Sequence, residues 1–312
     1  MKKAIYSIIC TLLLAGGSPL LAQELTTPEQ YRQRYETLVK NLGLSGVGIE
    51  THIQKWEKAF PDDNAMLEAK FIYYLEKSRN IQMVQMNQST YLGQKPYLSL
   101  KDSLGRDVHY FQDYVFDDEV FGKCITAIDN AISKNQDRLD YRLYKITALS
   151  SYEKTDPDMT VAALRSIIDY NFTQKPHWTY DGVDKVDAEF FDAAVQEYCV
   201  AFFRNATLNS YDAFRDISLK MLDYEPDNVL FLDNLGSYYF VAMSDNKTAL
   251  KYYTKVLKIK KDDNAAIRNC IIMARRDGDT KMEKKYLEMM AKYGESETDR
   301  TSAAGRLQYL PK

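Results

Sequence analysis

From Thr26 onward, apolar side chains recur every three or four positions, the spacing that gathers them on one face of an α-helix. Thr26-Thr27-Pro28-Glu29 sets a cap residue and then proline at a helix start, and Tyr31, Tyr35, Leu38 and Leu42 follow in phase until Gly43, Gly46 and Gly48 break the pattern. The same reading predicts helices over 49–60 and 64–78, then over 119–134, 139–152, 158–171, 187–204 and 209–224. Beyond these come a helical pair within 226–260, helices over 265–276 and 280–293, and a capping helix over 296–310. With repeats of about 34 residues, this amounts to roughly ten to thirteen helices in five or six hairpins.

Two stretches depart from the helical period. Residues 80–118 are polar at first and then alternate. Tyr97-Leu98-Ser99-Leu100 and Val108-His109-Tyr110-Phe111 flank a glycine turn, which predicts a short β-hairpin or loop insertion near 95–116. The second interruption, 173–185, holds Pro176-His177-Trp178-Thr179-Tyr180-Asp181-Gly182. One phrase recurs between helices: Phe60-Pro61-Asp62-Asp63-Asn64, Glu225-Pro226-Asp227-Asn228 and Lys261-Asp262-Asp263-Asn264 are variants of one another, a weak internal repeat.

The segment from Pro226 carries a sharper pattern. Leu232-x2-Leu235-Gly236-x2-Tyr239, followed by Ala249-x3-Tyr253, resembles the tetratricopeptide repeat template, with leucine in place of the usual tryptophan and Lys261 in place of the closing proline. One extra residue lies between the Gly236 and Ala249 positions. Gly236 and Ala249 let two helices approach closely, while Leu235, Tyr239 and Tyr253 fill the seam. The match is specific over 226–260, moderate over the rest of 209–293, and only architectural before Arg204. Taken whole, the chain is similar to exported tetratricopeptide proteins of Bacteroidetes-type bacteria. That resemblance implies an all-α, right-handed superhelical solenoid over 23–312, a periplasmic or soluble cell-envelope location, and a scaffold without catalytic activity.

Composition agrees with export. Residues 1–22 read as a signal peptide, with Lys2 and Lys3, an apolar run, and Leu20-Leu21-Ala22 before Gln23. The apolar run is too short for a permanent anchor, and no second run of about 18 apolar residues follows, so no membrane span is expected. The net charge of −3 becomes −5 without Lys2 and Lys3, a mild and scattered acidity that speaks against nucleic acid as the ligand. Cys124, Cys199 and Cys270 lie far apart and form no disulfide framework; small buried residues in helix seams are the expectation.

Chemistry-bearing motifs are sparse. His52, His109 and His177 fall in unrelated segments without metal-ligand spacing, His52 being expected at a partly exposed helix position, and neither a P-loop, a dinucleotide fingerprint nor a nucleophile elbow occurs. No cofactor, metal or catalytic residue is assigned. The expected function is to bind a protein or peptide in the groove lined by the first helices of the repeats, with Tyr141, Lys145, Asn234 and Tyr238 as contact candidates. A carbohydrate-associated module using the aromatic loop around Trp178 is the alternative, since exposed aromatic rings stack on sugars. Asp102-Ser103-Leu104 at the hairpin tip resembles the acceptor motif for O-glycosylation in exported proteins of that bacterial group, which marks Ser103.

Overall fold

A computed structural model describes residues 25–182 and 186–311; the expected signal peptide, with Cys10, and the last three residues of the 173–185 interruption lie outside them. Among the described residues the protein is mostly helical, with thirteen α-helices and one small antiparallel sheet. The helices are α1 (Pro28–Leu42), α2 (Ile49–Ala59), α3 (Asn64–Ser78), α4 (Asp118–Lys134), α5 (Leu139–Glu153), α6 (Asp158–Gln174), α7 (Ala188–Asn205), α8 (Leu208–Tyr224), α9 (Val229–Ser237), α10 (Asn246–Ile259), α11 (Asn264–Asp277), α12 (Thr280–Tyr293) and α13 (Glu297–Leu307). Every helix anticipated from the period is present, with ends displaced by a few residues.

Consecutive helices pack as antiparallel pairs: α3 on α4, α5 on α6, α7 on α8, α9 on α10 and α11 on α12, with α13 laid on α12. The recurring phrase is a recurring turn between pairs. At each site the backbone N–H of the residue after the helix bonds back four residues, and a second bond closes the loop three residues later: Phe60 to Trp56 and Asp63 to Phe60, Glu225 to Met221 and Asn228 to Glu225, Lys260 to Val256 and Asp263 to Lys260. Asp63, Asn228 and Asp263 then cap the next helix through Met66, Leu230 and Ala266 N–H groups at 2.9–3.1 Å, satisfying donors that a helix start leaves unpaired. Asn135 and Arg138 make the same turn between α4 and α5, where the sequence phrase is absent.

The core runs along this stack in three clusters that share helices. Tyr141, Ala148 and Leu149 of α5 join the cluster of α2–α4, whereas Leu139, Leu143 and Ile146 on its other side join the cluster of α6–α9. Phe231 and Leu232 divide α9 in the same way between the second cluster and that of α10–α13. Adjacent residues point about 100° apart on a helix, so one helix serves two seams. Cys124, Cys199 and Cys270 fall in three different clusters, each buried, with its thiol pushed up to about 12 by burial. His52 is also buried, against expectation: its ring lies beside Tyr31 and Trp56, Nε2 is 2.9 Å from the Tyr31 carbonyl oxygen, and burial lowers its pKa.

Strands β1 (Arg79–Met86), β2 (Leu98–Lys101) and β3 (Asp107–Phe116) form a sheet in the order β1-β3-β2, inserted within the α3–α4 pair. The expectation of an all-α fold with a β-hairpin insertion holds at the coarser level: the described residues are mostly helical, and the insertion is a three-stranded sheet rather than a hairpin alone. The expected hairpin is β2–β3, with Lys101 opposite Asp107. Strand β1 was not anticipated, because its Asn and Gln residues read as polar loop and its methionines lack the β-branching that marks strands. Phe111 and Asp113 of β3 face the body of the protein, where Lys154 of the α5–α6 turn pairs with Asp113 at 2.7 Å. Ser103 sits exposed in the β2–β3 turn.

Candidate functional site

The structure gathers the repeat-template residues into one seam. Leu232, Leu235, Ala249 and Tyr253 are buried between α9 and α10, and a Cβ added at Gly236 would lie 2.5 Å from the Tyr253 ring. Tyr239 is half-buried and stacks on Tyr252 with ring centres 5.6 Å apart. After Ser237 the helix widens into a π-helical turn, Tyr238–Ala242, in which the Met243 N–H bonds back five residues to Tyr238. A π turn takes one residue more than the α-helix it interrupts, which accommodates the extra residue seen in the sequence. Pro226 is exposed in the α8–α9 turn, and its carbonyl accepts a hydrogen bond from Lys255 Nζ.

Three of the four expected contact residues, Tyr141, Asn234 and Tyr238, are buried rather than facing a groove. Tyr141 is fully buried; its hydroxyl donates to Glu68 at 3.0 Å, and its ring lies 4.1 Å beneath the Arg138 guanidinium, which also holds Glu68 and Asp140. Lys145 pairs with Asp129 of α4 at 2.7 Å. Asn234 is buried in a reciprocal amide pair with Gln196 of α7 at 2.7 and 2.9 Å and donates to Ser218 of α8 at 3.1 Å. Tyr238 is buried, and its hydroxyl accepts from Arg215 at 3.1 Å. Tyr141, Asn234 and Tyr238 are each buried against helices that precede their own, in seams that the repeat period alone does not locate, whereas Lys145 is half-buried.

Trp178 is corrected in the same way, being only 5% exposed. Its indole N–H donates to Asn171 at 2.9 Å and its ring stacks parallel to Phe191, so it presents no ring for a sugar. Two backbone bonds clip its segment to the α4–α5 turn, from Leu139 N–H to the Thr179 carbonyl and from Thr179 N–H to that of Asp137. The loop plugs the interruption between α6 and α7.

What the surface does offer lies on α10. Ala249, Tyr253, Val256 and Leu257 turn one face of this helix into the core, and the Asp245 side chain caps its start through the Thr248 N–H at 3.0 Å. The opposite face carries Lys247, Lys251, Thr254, Lys255 and Lys258 around Leu250, lining a shallow depression of about 440 Å³. Lys255 is tied to Asp227 at 3.0 Å, whereas Lys247, Lys251 and Lys258 make no ion pair among the described residues. At about 1.5 Å of rise per residue, these three ammonium groups span about 16 Å along the axis. The surroundings reinforce them: between Asn246 and Tyr293 the chain has 13 Lys/Arg against 6 Asp/Glu, while the remainder has 28 against 38. Net charge conceals this division, and a windowed count would have found it in the sequence.

Compared with known proteins, the chain matches no family model and no curated protein. Among the described residues no group of three or more His, Cys, Asp or Glu side chains is placed to hold a metal ion, and no helix is long and apolar enough to cross a membrane.

Proposed function

We propose that the chain is a non-catalytic, exported scaffold, a right-handed stack of tetratricopeptide-like hairpins, that binds an acidic segment of a protein partner along the outer face of α10. The observation that carries this reading is the row of three unpaired lysines over a depression floored by Leu250, in a segment whose charge is opposite to that of the rest of the chain. Lys247 and Lys251, four residues apart, are offset by about 6 Å, close to the spacing of alternate residues in an extended peptide and of carboxylates at i and i+4 on a helix, and Lys258 lies a further two turns, about 10 Å, along. Complementary charge of this kind speeds encounter and excludes basic partners. The paired turns, the shared core clusters and the template residues at Gly236 support the repeat architecture. Export rests on the sequence of residues 1–22.

Fluorescence anisotropy of a labelled Glu- and Asp-rich peptide tests the proposal, with a peptide of neutral composition as control. Binding should weaken with added salt, and Lys247→Glu, Lys251→Glu and Lys258→Glu together should reduce it by about tenfold or more, equivalent to about 1.4 kcal/mol. Equal affinity of the wild type and the triple variant would remove α10 as the docking face.

A further inference from the structure

One face of the sheet carries a group of exposed apolar side chains beside Gln85 and Gln112. Residues directly opposite one another in an antiparallel ladder share a face, so the pairing of Ile81 with Tyr114 and of Gln85 and Leu98 with Tyr110 places Ile81, Met83, Leu98, Leu100 and Tyr114 on one side. These five are between 39% and 64% exposed. The two edges of the sheet differ. Strand β2 is four residues long, follows Pro96 and ends at Lys101, features that discourage further pairing. Strand β1 is eight residues long and, from Asn80 to Met86, contains neither proline nor any charge.

The hydrogen-bond phase shows what that edge presents. The Asp117 N–H bonds to the Ser78 carbonyl at 2.7 Å, which makes 78 and 117 a hydrogen-bonded pair; in steps of two, Asn80, Gln82, Val84 and Met86 also bond to β3. Arg79, Ile81, Met83 and Gln85 therefore direct their backbone N–H and C=O groups outward. We propose that β1 is a dimerisation edge, along which two copies of this chain pair β1 to β1 in antiparallel fashion about a two-fold axis at Gln82 to form one six-stranded sheet.

The choice of a second copy rests on self-complementarity. A two-fold at Gln82 sets Ile81 opposite the partner's Met83 and Met83 opposite the partner's Ile81, covering the exposed apolar side chains of both edges at once. It sets Arg79 opposite the partner's Gln85, so no like charges meet. It also uses only the outward-directed odd residues for the new ladder, leaving the bonds to β3 intact. An isologous contact needs one surface only and closes on itself, so it yields a dimer rather than a fibre.

Sedimentation equilibrium of the chain over a range of concentrations should show a monomer–dimer equilibrium, and Ile81→Lys with Met83→Lys should shift its dissociation constant at least about tenfold, by placing like charges across the pair. Far-UV circular dichroism of that variant should match the wild type, since both side chains are already in solvent. Gln82→Cys should form a disulfide-linked dimer under mild oxidation, because the two copies of residue 82 face each other at a distance a disulfide spans, whereas Gln112→Cys on the central strand should not. A chain that stays monomeric at all concentrations, a dimer indifferent to the lysine pair, or cross-linking at residue 112 and not at 82 would each overturn the proposal. So would protection of β1 amides only when an extended foreign peptide is added.

Discussion

Among single residues, Asp233 of α9 stands apart. Its Oδ1 is buried without a hydrogen-bond partner, and burial, with the like charge of Asp263, pushes the carboxyl up to about 7 against the opposing pull of Lys260. An unfolded chain releases this proton near pH 4, so the folded state holds more protons between about pH 4 and 7. The group's stabilising contribution is complete below that window and is lost as the pH climbs through about 7, with a slope of up to about 1.4 kcal/mol per pH unit. Asp233→Asn removes the titration. Its melting temperature should exceed that of the wild type at pH 8 and converge on it near pH 4.5; superimposable profiles from pH 4.5 to 8 would show that the carboxyl is not held protonated. At this scale the sequence revealed period but not phase. Of the adjacent aromatic pairs, Phe202 and Phe203, Tyr238 and Tyr239, and Tyr252 and Tyr253 each have one buried and one half-buried member. Tyr238, a groove candidate by its repeat position, is the buried one. It begins the π turn, after which the helical register no longer extrapolates from Leu235 and Gly236.

Elements were more legible than their faces. Thirteen helices follow from the three-and-four spacing because an apolar stripe has to be covered whatever it packs against. The β1 strand and the exposed lysine row of α10 were not read. The strand's residues have no strong strand preference, and the meaning of a lysine row depends on which acidic residues stand within reach, which only packing decides. Where the sequence named a close approach, the structure supplies its geometry. At Gly236 of α9, a leucine side chain would start from a Cβ 2.5 Å from the Tyr253 Cε1 atom and 2.8 Å from two more ring atoms. Tyr253 has little room to yield, since its hydroxyl is held by Ser237 at 3.1 Å and by the Asn269 amide at 2.9 Å, which link α9, α10 and α11. Gly236→Leu should therefore separate the α9–α10 pair and lower stability by about 1–3 kcal/mol, the range for overpacking. A urea midpoint within error of the wild type would show that Tyr253 can swing aside and that the seam is loosely fitted.

For the molecule as a whole, a chain of helix pairs that contact mainly their neighbours derives its stability from the interfaces between successive units, so an interruption is a point where cooperativity is lost unless something bridges it. The 173–185 segment is such a point, and it was legible as an interruption because its proline, glycine and histidine break the period. Its role was not legible, because an isolated tryptophan in a polar stretch suits a ligand platform as well as a plug. The structure decides through burial: Trp178 packs on Tyr170 of α6 and Phe191 of α7, is anchored to Asn171, and sits on a segment clipped to the α4–α5 turn. It thereby belongs to the middle core cluster, the one that shares α5 with the cluster before it and α9 with the cluster after it. Removing a buried tryptophan side chain typically costs about 3–5 kcal/mol, and here the loss falls on the cluster that joins the two ends. Trp178→Ala is therefore expected to do more than lower the melting temperature: differential scanning calorimetry should resolve the wild type's transition into two, as the α2–α4 and α10–α13 clusters unfold without a common middle. A variant that melts in a single transition as sharp as the wild type's, within a degree or two of it, would show that the interruption is bridged elsewhere and that Trp178 is incidental to the stack.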